Sequence, residues 1–108
     1  MKLNELDQTL NALADPTRRA ILARLAAGEA RVTALAAPFE MSLNAVSKHI
    51  RVLERARLVR RRRAGREHLL SLDPAPITQA AAWMEKVASE WTARLNKLDA
   101  ILAEGDPR

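Results

Sequence analysis

The sequence predicts a mainly α-helical chain that contains a small β-hairpin and ends in a long helix. Alanine and leucine are abundant, and aromatic residues make up only 3% of the 108 residues, a composition that favours helices. Apolar residues recur at steps of three and four in several segments, and one segment alternates beside a glycine. Because this length supports one hydrophobic core, we expect a single domain over residues 1–108.

Two helices are predicted at the start of the chain. The apolar stripe of the first consists of Leu3, Leu6, Leu10 and Leu13. These spacings of three and four are typical of a helix with one buried face. Asp15 is a good N-cap for the second helix, and Pro16 at its first position loses no hydrogen bond because that N–H has no helical partner. Gly28 is expected to end this helix.

A short helix, a turn and a longer helix are predicted at about residues 33–56. Ala30 to Val32 is short enough to be a small strand, and Thr33 is expected to cap the short helix before Pro38 ends it. Ser42 is expected to cap the longer helix. The buried stripe of that helix would consist of Val46, Ile50 and Leu53. This order of elements is the helix-turn-helix arrangement.

Basic residues are concentrated in the window from Ser42 to Arg66. The window contains nine basic residues and one acid, Glu54, so its formal charge is +8, whereas the whole chain carries +5. Its end contains four consecutive arginines followed by Ala64 and Gly65, and an alternating segment comes next. We therefore expect a β-hairpin at about residues 58–72 with a basic tip. Such a concentration of charge indicates a nucleic-acid partner.

The exposed face of the longer helix carries side chains suited to phosphates and base edges. These are Ser42, Asn44, Ser47, Lys48, His49 and Arg51. Lysine and arginine alone would serve a protein that binds only the DNA backbone, so the Ser, Asn and His side chains favour sequence-specific binding. Two alternatives are a DNA-binding protein with little sequence preference and an interaction module whose arginines meet an acidic protein.

The last predicted helix, at about residues 76–104, carries an unbroken heptad seam. The seam consists of Ile77, Ala81, Met84, Ala88, Trp91, Leu95, Leu98 and Leu102. A helix of about 28 residues is longer than a small core can cover. The seam therefore predicts a partner helix and a dimer.

The chain lacks the groups that several other functions require. It has no cysteine, which excludes disulfides and thiolate metal sites, and its two histidines, His49 and His68, are far apart in the sequence. Asp15, Glu54 and Glu67 have no accompanying nucleophile or phosphate loop, so we expect no enzyme activity and no cofactor. Neither a signal peptide nor a run of roughly 20 apolar residues is present, which predicts a cytoplasmic protein without a membrane partner.

Two stretches, DPTRRAILARL at 15–25 and SLNAVSKHIRVLERARLVRRRRAGREHLLSL at 42–72, resemble the ArsR family of winged-helix transcriptional regulators. Residues 83–102, with two tryptophans and two leucines, resemble a metal-independent branch of that family. The resemblance implies a homodimer in which the first and last helices pack on the partner. It also implies that the helix starting at Ser42 enters the DNA major groove and that the hairpin acts as a wing. Members usually repress transcription, and the effector of this chain is unknown.

The resemblance also implies which side chains act. The helix residues facing double-stranded DNA would be Ser42, Asn44, Ser47, Lys48, His49 and Arg51, and the wing residues would be Arg61, Arg62, Arg63 and Arg66. The dimer interface would contain Leu6, Leu10, Met84, Val87, Trp91, Leu95, Leu98 and Leu102.

The chain departs from the family pattern in two places. Metal-sensing members use cysteines in the recognition helix or Asp and His ligands on the terminal helix, whereas this chain has no cysteine and no histidine on its terminal helix. We therefore expect no metal site. Where the family commonly has glycine, this chain has Arg57, at a position expected to be left-handed. A non-glycine residue there costs on the order of 1 kcal/mol.

Overall fold

The structure, a computed structural model, describes residues 3–105. Its helices are α1 (Leu3–Leu13), α2 (Pro16–Ala26), α3 (Val32–Ala36), α4 (Leu43–Arg55) and α5 (Ala75–Glu104). Its strands are β1 (Ala30–Arg31), β2 (Val59–Ala64) and β3 (Glu67–Leu72), which form one antiparallel sheet in the order β1-β3-β2. The predicted fold class is confirmed. Residues 1–2 and 106–108 and the side chain of Leu3 lie outside the described part of the chain. The single domain over residues 1–108 therefore stays a prediction.

Side-chain caps begin two of the helices at the predicted residues. Asp15 accepts a hydrogen bond from the backbone N–H of Arg18 at 3.1 Å, and Ser42 Oγ accepts one from the N–H of Ala45 at 3.1 Å. The expectation that Thr33 caps α3 is wrong, because α3 already begins at Val32. The strand β1 ends immediately before it, so its extended last residue occupies the cap position without a side-chain hydrogen bond.

The hydrophobic core lies between α2, α3, α4 and the sheet. Its largest members are Ile21, Leu22, Leu25, Leu35, Val46, Ile50, Leu53, Leu58 and Leu70, all buried. The predicted buried stripe of α4 is confirmed, because Val46, Ile50 and Leu53 are each 0% exposed. Burial of this stripe fixes which face of α4 is left to solvent.

The end of α4 turns the chain into the sheet through a left-handed residue. Arg57 has a φ of 61°, as expected. The N–H of Leu58 donates to the carbonyl of Leu53 at 3.0 Å, and the N–H of Arg57 donates to that of Glu54 at 3.0 Å. These two bonds form a Schellman motif, whose hydrophobic pair is Leu53 with Leu58. The buried pair offsets the cost of an arginine in the left-handed region.

The hairpin of β2 and β3 is joined by the two residues Gly65 and Arg66, since Ala64 pairs with Glu67. Gly65 has a φ of 64°, which a two-residue hairpin turn requires and which glycine adopts without strain. The turn therefore places Arg66 at the tip of the wing.

The helix α5 is much longer than the surface on which it packs. It packs against α1, and Ala80 is its one buried side chain among the described residues. All side chains from 81 to 105 are exposed. At 1.5 Å per residue, the 30-residue helix is roughly 45 Å long, whereas the 11-residue α1 is roughly 16 Å long. Within residues 3–105, no helix is long and apolar enough to cross a membrane.

Candidate nucleic-acid interface

The solvent face of α4 brings most of the predicted helix residues together. Ser42, Asn44, Lys48 and Arg51 are exposed, and Ser47 is partly buried beside them. Within residues 3–105, no carboxylate oxygen lies within 4.0 Å of the charged groups of Lys48 or Arg51. These two cations are therefore available to an external anion, and the hydroxyl and amide side chains beside them can make hydrogen bonds.

The structure places His49 away from this face. Its Nδ1 lies 3.3 Å from a guanidinium nitrogen of Arg18 and 3.9 Å from Asp15 Oδ1, and its side chain is 23% exposed. Arg18 also donates to the carbonyls of Ala12 at 2.7 Å and Asn11 at 2.9 Å. His49 thus connects α4 to α2 and, through Arg18, to the end of α1, on a different side of α4 from Lys48 and Arg51.

Two of the predicted wing arginines form ion pairs with carboxylates of the same chain. Arg61 donates twice to Glu54, at 2.7 and 3.3 Å, and Arg62 donates twice to Glu29, at 2.7 and 2.8 Å. The hydrogen bonds from Arg62 hold the pKa of Glu29 below its ordinary value, and those that Arg61 donates to Glu54 raise the pKa of Arg61. Both guanidinium groups are therefore held in place by carboxylates of the same chain.

The other arginines of this region differ in their partners. Arg60 pairs with Asp73 at 2.8 Å. Arg63 donates from Nε to the carbonyl of Gly65 at 3.1 Å, an acceptor that carries no charge. Arg66, at the wing tip, has no carboxylate within 4.0 Å in the part of the chain that the structure describes. Of the four consecutive arginines, the first three are thus neutralised locally, and Arg63 is not.

Sequence reasoning missed two of the three carboxylates that pair with the wing arginines. Glu29 lies 33 residues before Arg62, and Asp73 lies 13 residues after Arg60. Neither separation has the helical spacing by which a pair is found in a sequence. Sequence reasoning also missed Leu43, an exposed apolar residue at the start of α4.

The second predicted surface, on α5, is exposed and apolar. Its members and their exposed fractions are Met84 46%, Val87 44%, Trp91 60%, Leu95 44%, Leu98 51% and Leu102 63%. Trp83 and Ile101 lie beside them, also exposed. In contrast, Leu6 is only 5% exposed within a single chain, so it has little surface left for a partner. Leu10 is partly buried.

A polar cleft of about 480 Å³ lies between α1, the end of α4 and the start of α5. Arg55, Arg57, Glu5 and Gln79 are among the residues that line it. Within residues 3–105, no group of three or more His, Asp or Glu side chains is arranged to hold a metal ion.

Comparisons with known proteins match this arrangement. A family model described as a helix-turn-helix domain matches residues 13–62. The HTH-type transcriptional regulator Rv2034 of Mycobacterium tuberculosis is 43% identical over 101 residues, which are 93% of this chain and 92% of that protein.

Solved structures show the same likeness. The crystal structure of the ArsR family transcriptional regulator RHA00566 has a TM-score of 0.80 and 38% identity, covering 85% of this chain and 95% of that one. The solution structure of the homodimeric winged helix-turn-helix domain of Mb0332 from Mycobacterium bovis has a TM-score of 0.65 and 29% identity, covering 85% of each chain. In the present chain, α3 and α4 form the helix-turn-helix and the β2–β3 hairpin forms the wing. The chain therefore belongs to the ArsR family of winged helix-turn-helix transcriptional regulators.

Proposed function

We propose that this protein is a sequence-specific repressor that binds operator DNA as a homodimer. The observation that carries the proposal is the solvent face of α4, where Lys48 and Arg51 have no carboxylate partners and stand beside Asn44 and Ser47. Cations without partners attract phosphates, while the amide and hydroxyl groups can distinguish base edges. A dimer on its operator would repress by excluding RNA polymerase from the same DNA.

The wing supplies the second contact of the proposed complex. Arg63 and Arg66 are not neutralised by carboxylates among the described residues, and we assign to them the contacts with the backbone or the minor groove. Arg61 and Arg62 would have to exchange Glu54 and Glu29 for phosphate oxygens. We therefore expect Arg61 and Arg62 to contribute less to the affinity for DNA than Arg63 and Arg66 do.

The proposed dimer explains the exposed apolar surface of α5. A contiguous apolar face on a soluble protein marks a surface that a partner covers. The relative Mb0332 is homodimeric, which supports the same assembly for this chain. The proposed interface consists of Leu10, Met84, Val87, Trp91, Leu95, Leu98 and Leu102, and it omits Leu6, whose side chain is already buried.

A binding assay tests the sequence specificity directly. Duplexes selected from a random pool would be labelled, and their binding would be measured by fluorescence anisotropy against unlabelled random DNA. We expect a consensus to emerge and the selected site to be bound about 10³-fold more tightly than random DNA, the lower end for specific regulators. A ratio below tenfold would instead support the alternative, an architectural protein with little sequence preference.

The dimer is tested by sedimentation. Leu98→Asp would place two carboxylates in the apolar seam, at a cost of several kcal/mol per dimer. We expect wild-type protein to sediment as a dimer at micromolar concentration and the variant as a monomer. Thr33→Asp, a change on the exposed surface of α3, is the matched control and should stay dimeric. A monomeric wild-type protein would refute the assembly.

We also propose that the protein works in the cytoplasm without a cofactor and without regulation by a transition metal. Two separated histidines and no cysteine leave zinc or copper without the ligands they prefer. Operator affinity should change by no more than a fewfold when zinc or a chelator is added. A tenfold change would reveal a site built from carboxylates across the dimer.

A further inference from the structure

The recognition helix α4 begins with an apolar side chain that its own chain does not cover. Leu43 is the first residue of the helix and is 52% exposed, and Met41, two residues earlier, is 37% exposed. Between them, Ser42 caps the helix by accepting the N–H of Ala45. The N-cap therefore holds the backbone on both sides of Leu43, and the position of the leucine is fixed by the helix.

The core does not account for Leu43. The buried stripe of α4 is complete without it, because Val46, Ile50 and Leu53 are fully buried and Leu43 is not part of their cluster. At about 100° per residue, Leu43 lies about 20° from Ile50 and about 40° from Ser47, at the boundary between the buried stripe and the polar face, and it is exposed because it stands in the first turn, beyond the end of the core. A single exposed leucine is ordinary on a protein surface. This one, however, lies at the end of the helix whose residues contact base edges in helix-turn-helix proteins.

The chemistry of the major groove limits the bases against which Leu43 can pack favourably. Three of the four bases present only hydrogen-bond donors and acceptors there, which a leucine would leave unpaired at a cost. Thymine also presents its C5-methyl group, which is apolar. We propose that Leu43 packs against the C5-methyl group of a thymine in each operator half-site and selects that base. This inference depends on the proposed sequence-specific binding and adds a residue that determines the specificity.

The expected effect is small and measurable. Removing one buried methyl group weakens binding by about fourfold, the factor that corresponds to about 0.8 kcal/mol. A homodimer has two equivalent half-sites, so removing both methyl groups should weaken binding by about 15-fold, the product of two such losses. Replacing Leu43 by Ala should reduce both factors to near one.

The experiment replaces thymine by deoxyuridine, which lacks only the methyl group and keeps the pairing edge. Thymines of the selected duplex would be replaced one position at a time in both half-sites, and binding of wild type, Leu43→Ala, Leu43→Met and Met41→Ala would be measured. We expect one thymine position at which replacement in both half-sites weakens binding of the wild-type protein by about 15-fold. The same replacement should leave Leu43→Ala nearly unaffected, whereas Leu43→Met and Met41→Ala should keep the sensitivity.

The outcomes separate this inference from the proposed function. A selection without any consensus would overturn both. A clear consensus would overturn this inference alone if no thymine-to-deoxyuridine replacement had an effect that depends on Leu43. The inference would also be overturned if that effect were lost in Met41→Ala and kept in Leu43→Ala. Thermal unfolding of each variant establishes that it is folded, and Leu43→Met provides a conservative replacement if Leu43→Ala is not.

Discussion

Two regions contribute most of the basic residues of the window from Ser42 to Arg66, the solvent face of α4 and the strand β2, and they differ in what surrounds their charges. On α4, Lys48 and Arg51 have no carboxylate within 4.0 Å among the described residues. On β2, Arg60, Arg61 and Arg62 each pair with an acid of the same chain. The number of basic residues in a segment therefore does not give the number of cations that are free of a carboxylate partner.

The difference assigns separate tasks to the two regions. A cation without a partner gains its whole electrostatic interaction when it meets a phosphate. An arginine in an exposed ion pair must first lose an interaction worth about 0–1 kcal/mol, so its net gain is smaller. The paired arginines Arg61 and Arg62 connect the wing to α4 and to the turn before β1. We therefore expect the helix to supply most of the affinity for DNA and the discrimination between sequences.

The largest expected effect is on α4. Replacing Lys48 and Arg51 together by Ala should weaken operator binding by about 2–4 kcal/mol, because both side chains would lose contacts with DNA that no other group replaces. Anisotropy titrations at one fixed salt concentration measure this loss. Arg24→Ala, which removes an exposed cation of α2, is the matched control and should bind as wild type does. Because the control removes one charge and the double variant removes two, a loss about half as large in the control would mean that net charge alone matters.

A second comparison uses two neighbours on β2. Arg63→Ala should weaken operator and random DNA alike and reduce the slope of log K against log salt by about 0.9 for each chain of the dimer. Arg62→Ala should change that slope by less than half as much, since its charge is already opposed by Glu29. If the two variants give equal slopes, the ion pair opens fully on DNA and the distinction between the regions fails.

Features that depend on neighbouring residues could be predicted from the sequence, whereas contacts between distant residues could not. The caps at Asp15 and Ser42 were predictable because each depends on residues within a few positions, whereas the left-handed Arg57 was expected from the resemblance to a family that commonly has glycine there. The contact of His49 with Arg18 was not predictable, because Arg18 lies 31 residues away on another helix. The pairing of Arg62 with Glu29 was hidden for the same reason, since only the folded sheet brings them together.

A third prediction removes the acid and keeps the arginine. Glu29→Gln frees the guanidinium of Arg62 from its charged partner, so affinity for random DNA should rise severalfold and the salt slope should steepen. The double variant Glu29→Gln with Arg62→Ala should return both quantities to near the values of Arg62→Ala. Unchanged binding in Glu29→Gln would show that Arg62 does not reach DNA even when it is free.

The smallest expected effect concerns stability and pH. Hydrogen bonds from Arg62 hold the folded-state pKa of Glu29 below its ordinary value of 4.5. A carboxylate with a lowered folded-state pKa stabilises the fold fully above its unfolded pKa, and that stabilisation is lost as pH falls through the folded value. Glu29→Gln should therefore melt slightly below wild type at pH 7, and the difference should shrink as pH falls from 4.5 towards 3.

Thermal melts of wild type and Glu29→Gln at pH 7, 4.5 and 3 measure this difference, with Glu85→Gln on α5 as the matched exposed control. The effect is small because both partners are accessible to water, where screening weakens the attraction. A difference that persists at pH 3 would mean that the glutamine itself disturbs the turn before β1. In that case the affinity for DNA gained by Glu29→Gln could not be assigned to a freed Arg62. The variant Arg62→Lys would then separate the effect of charge from that of geometry, because lysine keeps the positive charge and loses the bidentate hydrogen bond.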